Sequence, residues 1–309
     1  MTACLGLDTS NYTTSAAWAD AAAERVEQQK QLLPVTKGKM GLRQSDAVFH
    51  HVRQLPDIVE RLRQHCPEPF SCIAASERPQ EVDGSYMPCF LVGMGAAREL
   101  AAVMGVPYIG VTHQQGHVAA AAFGARRMDL LDQPFLAFHV SGGTTDALTI
   151  EPTEAGGITC RVVARSLDLK AGQLIDRVGG MLGLPFPAGP ALEQLALTAE
   201  QTYRPRIPLR DGCCSLSGVQ NQCEQMLQKG TPPAEIARFC LDCVGAALDG
   251  MTRALQQQYP GRPLLYAGGV MSNSLLRERL TATFGGSFAP PAFSADNAAG
   301  VALLGSRMR

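Results

Sequence analysis

The chain has 309 residues, of which 46% are apolar and 18% charged, with a formal net charge of −1. That length divides more readily into two cores than one, and the composition excludes an intrinsically disordered chain. The near-neutral charge excludes wholesale nucleic-acid coating, so any RNA contact has to be a local basic patch.

Short apolar runs alternate with helix-period stretches along almost the whole chain. Strands are expected at 4–7 and 14–18, then a helix at 45–65 in which Pro56 argues for a kink or break. A strand at 71–75, a helix at 90–104, a strand at 108–111 and a helix at 113–123 follow. The pattern restarts with strands at 135–140 and 145–150, and continues with helices near 173–182, 190–199, 219–228 and 234–257. A strand at 263–267, a helix near 274–283 and a last helix after Asp296 complete it. Alternation of this kind is the signature of an α/β protein.

No apolar run is long enough to span a membrane. The opening MTACLGLDTS has neither a charged start nor a long apolar segment, so a cytoplasmic chain without a secretory leader is expected. The ten cysteines are irregularly spaced, which suits free thiols in a reducing compartment. Cys240 and Cys243 form one C-x-x-C inside an apolar helical stretch, without the second pair that a structural zinc needs, and are expected in the core.

One internal repeat is visible. SNYTTSA at 10–16 matches SGGTTDA at 141–147 as S-x-x-T-T-[SD]-A, each copy following one strand and leading into another. Two such hairpins suggest a duplicated domain, each copy presenting a small polar turn able to hold phosphate. Ordinary hairpins are rich in the same residues, so the repeat needs support from elsewhere.

Four segments carry residues suited to chemistry. In HQQGH, directly after the strand-like YIGV, His113 and His117 stand at i and i+4 on one helix face and can reach a single ion. Zinc proteases with H-E-x-x-H place a general base after the first histidine; here that position is Gln114, which disfavours proteolysis. Asp296, just before the small-residue helix AAGVALLG, reads either as a helix cap or as a third ligand. The stretch YAGGVMSN, ending at Asn273, opens a helix after a strand, where glycines let backbone approach a ligand. Asp176 begins DRVGGMLGLPFPAGP, a helix followed by a Pro/Gly loop that contains Gly189. Neither a P-loop nor a Rossmann glycine fingerprint is present.

Taken in order, the D-T-S turn, H-x-x-x-H, S-G-G-x-T, D-R with L-G-L-x-F-P-x-G-P, S-x-S-G, G-G-V-x-x-N and D-N-A-A lie between residues 5 and 305. This set resembles the tRNA threonylcarbamoyladenosine synthase family, the TsaD-like proteins once labelled O-sialoglycoprotein endopeptidases. The resemblance implies an actin/Hsp70-like (ASKHA) fold of two RNase-H-like lobes around a central cleft. The first lobe would hold 1–132 with the closing helix 294–309, and the second 133–293. His113, His117 and Asp296 would hold one divalent ion, iron or zinc. Ser141, Gly142, Gly143, Thr144, Thr145, Asp176, Gly189 and Asn273 would bind the adenylate and threonylcarbamoyl parts of the activated intermediate. The implied reaction is transfer of the threonylcarbamoyl group to N6 of adenosine in tRNA anticodon loops. Partners would be tRNA, a smaller TsaB-like paralogue and an ATPase, in a hetero-oligomer or a homodimer.

Departures from the family pattern set two alternatives beside this reading. Thr144 stands where the family usually has His, Gln173 where it has Glu, and Leu169 where it has Asp. A family segment G-P-G-L is replaced by residues 77–84, ERPQEVDG. A nucleotide-binding paralogue without turnover, or a carbamoyltransferase with another acceptor, would retain the same ligands.

Overall fold

Strands β1 (Ala3–Asp8) and β2 (Thr13–Asp20) are buried at every residue. The computed structural model describes residues 2–10, 12–20, 22–34, 42–66, 68–294 and 298–308. Alternation along a strand sends successive side chains to opposite faces. Leu5, Leu7, Ala16 and Trp18 thus join one cluster, while Ala17 and Ala19 join another. The sheet is completed by β3 (Val26–Leu32), β4 (Phe70–Arg78) and β5 (Tyr108–Thr112), in the order β3-β2-β1-β4-β5. β2 runs antiparallel and β4 parallel to β1.

The larger-residue face carries α1 (Gln44–Gln64) and α2 (Phe90–Met104). Ala47, His51, Leu55, Ile58 and Leu62 form the buried stripe of α1. The expected break at Pro56 does not occur: the helix runs unbroken through it. Pro56 lies on the exposed side, where water can satisfy the carbonyl left without an amide partner, and the stripe holds both halves to the sheet. The opposite face takes α3 (His113–Gly124) and the closing helix, labelled α9 below. Small residues permit this approach; a side chain at Gly300 would collide with the carbonyl of Gly116.

The second sheet repeats the plan. Its strands are β6 (Phe135–Val140), β7 (Thr145–Pro152), β8 (Ile158–Arg165), β9 (Leu264–Ala267) and β10 (Ser287–Phe288). Their order β8-β7-β6-β9-β10 matches that of the first sheet strand for strand, again with an antiparallel hairpin on one side and parallel strands on the other. The repeat read from the sequence therefore marks the two hairpins β1–β2 and β6–β7. Helices α4 (Ala171–Met181), α5 (Gly189–Ala196), α6 (Ser217–Gln228), α7 (Pro233–Gln258) and α8 (Ser274–Phe284) supply the core of this half, and α9 spans Ala299–Arg307.

Three strands escape the sequence pattern. β3 is the polar edge strand VEQQKQL, β8 alternates but is not among the expected strands, and β10 has two residues. Cys240 and Cys243 are free and buried in α7. A hydrogen bond with Cys223, together with burial, pushes the Cys240 thiol well above its ordinary range, which keeps it unreactive. Among the described residues no helix is long and apolar enough to cross a membrane. Contacts divide the chain into unit 1 (Met1–Gln133, Glu151–Cys160, Ala292–Arg309) and unit 2 (Pro134–Ile150, Arg161–Pro291).

Candidate functional site

In unit 1 the chemistry gathers at the start of α3. Thr112 caps that helix reciprocally: its hydroxyl accepts the Gln115 N–H at 3.2 Å, and Gln115 Oε1 accepts the Thr112 N–H at 2.6 Å. Gln115 Nε2 in turn donates to Glu81 and to the carbonyl of Ile158. The cap fixes where α3 begins, which places His113 at its first position and His117 one turn on. The two rings lie 4.2 Å apart between centroids, edge to face.

Asp8, at the end of β1, sits 2.7 Å from His113 Nδ1 and is 1% exposed. Burial alone would raise its carboxyl, but the His113 charge and hydrogen bond and the Ser10 N–H outweigh burial and hold it below the usual aspartate range. A carboxylate on the far nitrogen is how proteins orient a metal-ligating histidine. Ser10, also 1% exposed, has a buried hydroxyl with no partner among the described residues. This donor set fits a divalent ion. Asp296, the third expected ligand, lies outside the described residues. Among the described residues no three His, Cys, Asp or Glu side chains gather into a metal site by themselves.

In unit 2 a cavity of about 600 Å³ opens beside the second hairpin. Four of the residues expected there line it: Gly142, Asp176, Gly189 and Asn273. Ser141, Gly143, Thr144 and Thr145 belong to the adjoining turn but not to the cavity wall. Ser141 N–H closes that turn on the Thr144 carbonyl at 2.8 Å, and the Gly142 and Gly143 N–H groups have no partner among the described residues. Buried Thr145 braces it, its Oγ1 accepting the Ala171 N–H at 2.8 Å.

Asp176 Oδ1 accepts the Ala188 N–H at 2.8 Å, which holds the Pro/Gly loop against α4. Its other oxygen has no partner among the described residues. Glu193 repeats the arrangement, with Oε1 taking the Ser274 N–H at 2.8 Å and the Ser274 hydroxyl. Asn273 caps α8 through Oδ1 and keeps its amide nitrogen without a partner among the described residues. Two half-used carboxylates and an amide thus border a cavity otherwise walled by Ile175, Pro187 and Val270. Such a lining suits a planar ring with a polyol attached.

Three residues of the site, Asp8, Gln115 and Glu193, are not among those expected from the sequence. Gln115 was signalled by T-x-x-Q before an apolar run. Asp8 stood inside a motif already noted, but its partner lies 105 residues away. Glu193 carried no local signal.

Two five-stranded sheets of the same order define a duplicated, actin-like α/β protein. Solved structures with this fold include component A of the (R)-2-hydroxyglutaryl-CoA dehydratase of Acidaminococcus fermentans (TM-score 0.56, 15% identity, 99% of this chain and 98% of that one). Another is full-length HypF in its phosphate- and nucleotide-bound form (TM-score 0.60, 13% identity, 99% of this chain and 55% of that one). The family model for TsaD, tRNA N6-adenosine threonylcarbamoyltransferase, matches residues 22–303, and the chain belongs to that family. A relative in Thermus thermophilus bearing that enzyme name is 33% identical over 83% of this chain and 77% of its own length. One in Methanopyrus kandleri is 31% identical over 86% of this chain and 76% of its own.

Proposed function

We propose that the chain transfers a threonylcarbamoyl group from its adenylate to N6 of an adenosine in tRNA anticodon loops. The observation that carries this reading is the His113–His117 pair fastened by Asp8, in a chain of this transferase family. N6 forms a bond to the carbamoyl carbon, the bond from that carbon to the adenylate oxygen breaks, AMP leaves with the electron pair, and the amine releases one proton to solvent. His113, His117 and Asp296 would hold an iron or zinc ion, Asp296 on the family resemblance alone. Such an ion, when bound, supplies positive charge against negative charge developing on an oxygen of the reacting group.

The chain's own residues bind and orient. Asp8 holds the His113 ring in one orientation. Ile175, Pro187 and Val270 cover the faces of the purine, while Asp176 and Glu193 accept hydrogen bonds from the ribose hydroxyls. The Gly142 and Gly143 N–H groups meet phosphate oxygens. An exocyclic purine amine is a weak nucleophile, so holding it against the carbamoyl carbon supplies much of the rate. The acceptor base lies in a single-stranded loop, from which it can be splayed into a pocket. A smaller TsaB-like paralogue and an ATPase complete the proposed assembly.

The test mixes metal-loaded protein and family partner proteins with threonylcarbamoyl-adenylate and unmodified tRNA, and reads the nucleosides by mass spectrometry. Modified adenosine that disappears with His113→Ala supports the proposal. No product, beside a working family enzyme, sinks it.

A second reading, a nucleotide-binding subunit without turnover, is favoured by one observation. Gln173, where the family usually has Glu, caps α4 by accepting the Lys170 N–H at 3.3 Å. Asp168 likewise accepts the N–H groups of Leu169, Leu216 and Ser217. Both side chains brace backbone rather than move protons. This reading predicts AMP binding by calorimetry with no transfer.

A further inference from the structure

Between α5 and α6 the chain runs along α7 as the segment TYRPRIPLR, residues 202–210, with alternate residues turned in and out. Tyr203, Pro205, Ile207 and Leu209 are partly buried, while Arg204, Arg206 and Arg210 are exposed. The inward set fastens this strap. Tyr203 packs edge to face on Phe239 at 5.4 Å between centroids, and its hydroxyl donates to Glu235 at 3.0 Å. Its N–H donates to Asp242 at 2.8 Å. Ile207 and Leu209 pack on the core of unit 2, Leu209 so close to α7 that a side chain added at Gly250 would stand 3.1 Å from it. Paired backbone hydrogen bonds between Arg210 and Cys213, each 2.9 Å, close the far end. Pro205 and Pro208 fix two φ angles in between.

The arginines therefore stand on a firm base, and none has an acidic partner among the described residues. The acids beside the strap are engaged elsewhere: Glu235 also accepts the N–H groups of Glu200 and Gln201, and Asp242 holds Arg238 at 3.0 Å. Extended backbone advances about 3.3 Å per residue, which sets Arg204 and Arg206 roughly 7 Å apart and Arg210 roughly 13 Å further on. In a chain of net charge −1, such a stripe is the local basic patch that RNA contact requires. A nucleic-acid strand, charged at every residue, meets cations set in a line. A membrane surface would need apolar side chains beside them, and the other outward positions are Thr202 and Pro208.

We propose that this strap holds the phosphate backbone of the acceptor RNA. The inference rests on the proposed transfer to tRNA and adds where the RNA lies. α5, whose Gly189, Pro190 and Glu193 line the cavity, leads into the strap, and both belong to unit 2. Guanidinium groups pair with phosphate oxygens two at a time. No aromatic ring stands among the outward residues, Tyr203 being turned onto Phe239, so the strap gives bases nothing to stack on. It positions the RNA without selecting its sequence.

Fluorescence anisotropy of labelled, unmodified tRNA with the full chain, between about 50 and 200 mM salt, tests it. A chain carrying Arg204→Gln, Arg206→Gln and Arg210→Gln together should bind roughly tenfold or more weakly at the low end. The slope of log affinity against log salt should fall by about 2. Two tRNAs with different anticodon loops should lose affinity alike. Replacing all three arginines by lysine keeps the charge, so that slope should stay near the parent's. The positions are exposed, so circular dichroism should be unchanged. A parent that does not bind tRNA, a glutamine variant with the parent's slope, or a lysine variant whose slope falls as far as the glutamine one overturns the proposal. The transfer assay separates this from the reaction. Transfer with tRNA affinity indifferent to the glutamine changes removes the strap and leaves the reaction standing; binding lost with those changes, in a chain that does not transfer, does the reverse.

Discussion

The two hairpins that carry the repeat start from the same pattern and end in different uses. In the first, the residues at the end of β1 are tied down: Asp8 is tied to His113, and Thr9 is tied to α2 through the Cys89 carbonyl at 2.9 Å and the Gly93 N–H at 3.0 Å. In the second, Gly142 and Gly143 are exposed at the mouth of a cavity. The second threonine of each copy does the same work, joining its hairpin to a helix. Thr14 Oγ1 contacts Gln54 and His51 of α1 at 2.7 and 2.8 Å, and Thr145 Oγ1 contacts the start of α4. The repeated residues therefore encode the scaffold. What packs on each turn decides whether it buttresses a histidine or opens beside a cavity.

Substitutions at matched positions can break that contrast. The largest effect is expected from Asp8→Ala, which removes the carboxylate that orients His113 and should lower divalent-metal affinity by about 10–100-fold in a chelator competition. His139→Ala, the matching position on β6, should leave affinity unchanged. Equal losses would mean that the first turn has no special tie to the metal. Next comes Gly172→Ala. Its added carbon would stand 2.6 Å from the Ser141 carbonyl oxygen and displace the open turn. AMP affinity by calorimetry should fall roughly tenfold, about 1.4 kcal/mol, with metal binding intact. Unchanged AMP binding would separate the cavity from the turn.

Much of this was legible in the sequence. The hairpins, the order of strands and helices and the His113–His117 face follow from local periodicity, which a single chain displays. β3 was not legible, because an edge strand with both faces wet need not alternate. Asp8 as the support of His113 was not legible either, since its meeting with α3 depends on β4 and β5 lying between them in the sheet. Pro56 misled for a related reason: local propensity spoke for a break, and packing of Leu55 and Ile58 on the sheet overrode it.

A smaller effect is expected at the shared threonines. Thr145→Val leaves the buried Ala171 N–H without its acceptor and should cost about 1–2 kcal/mol in urea denaturation. Thr14→Val removes the hydroxyl that contacts both His51 Nδ1 and the Gln54 amide oxygen, and should cost a similar amount. Loss at one site and not the other would show that only one hairpin depends on this tie.

The smallest effect is the most diagnostic in sign. Where the first copy has Ser15, whose hydroxyl donates to the Asp8 carbonyl at 3.2 Å, the second has Asp146. Burial raises the Asp146 carboxyl, and the charges of Arg165 and Lys170 only partly offset it. A carboxyl raised on folding opposes folding when ionised. That penalty is full above its folded value and vanishes once pH falls below the ordinary aspartate range. Asp146→Ser makes the second hairpin copy the first and removes the penalty, so the variant should be more stable than the parent near pH 7, by under about 1 kcal/mol. The advantage should shrink as pH falls toward about 3. An advantage that does not change with pH would trace the gain to packing, and a loss at neutral pH would show that Arg165 and Lys170 stabilise the ionised aspartate more than burial opposes it.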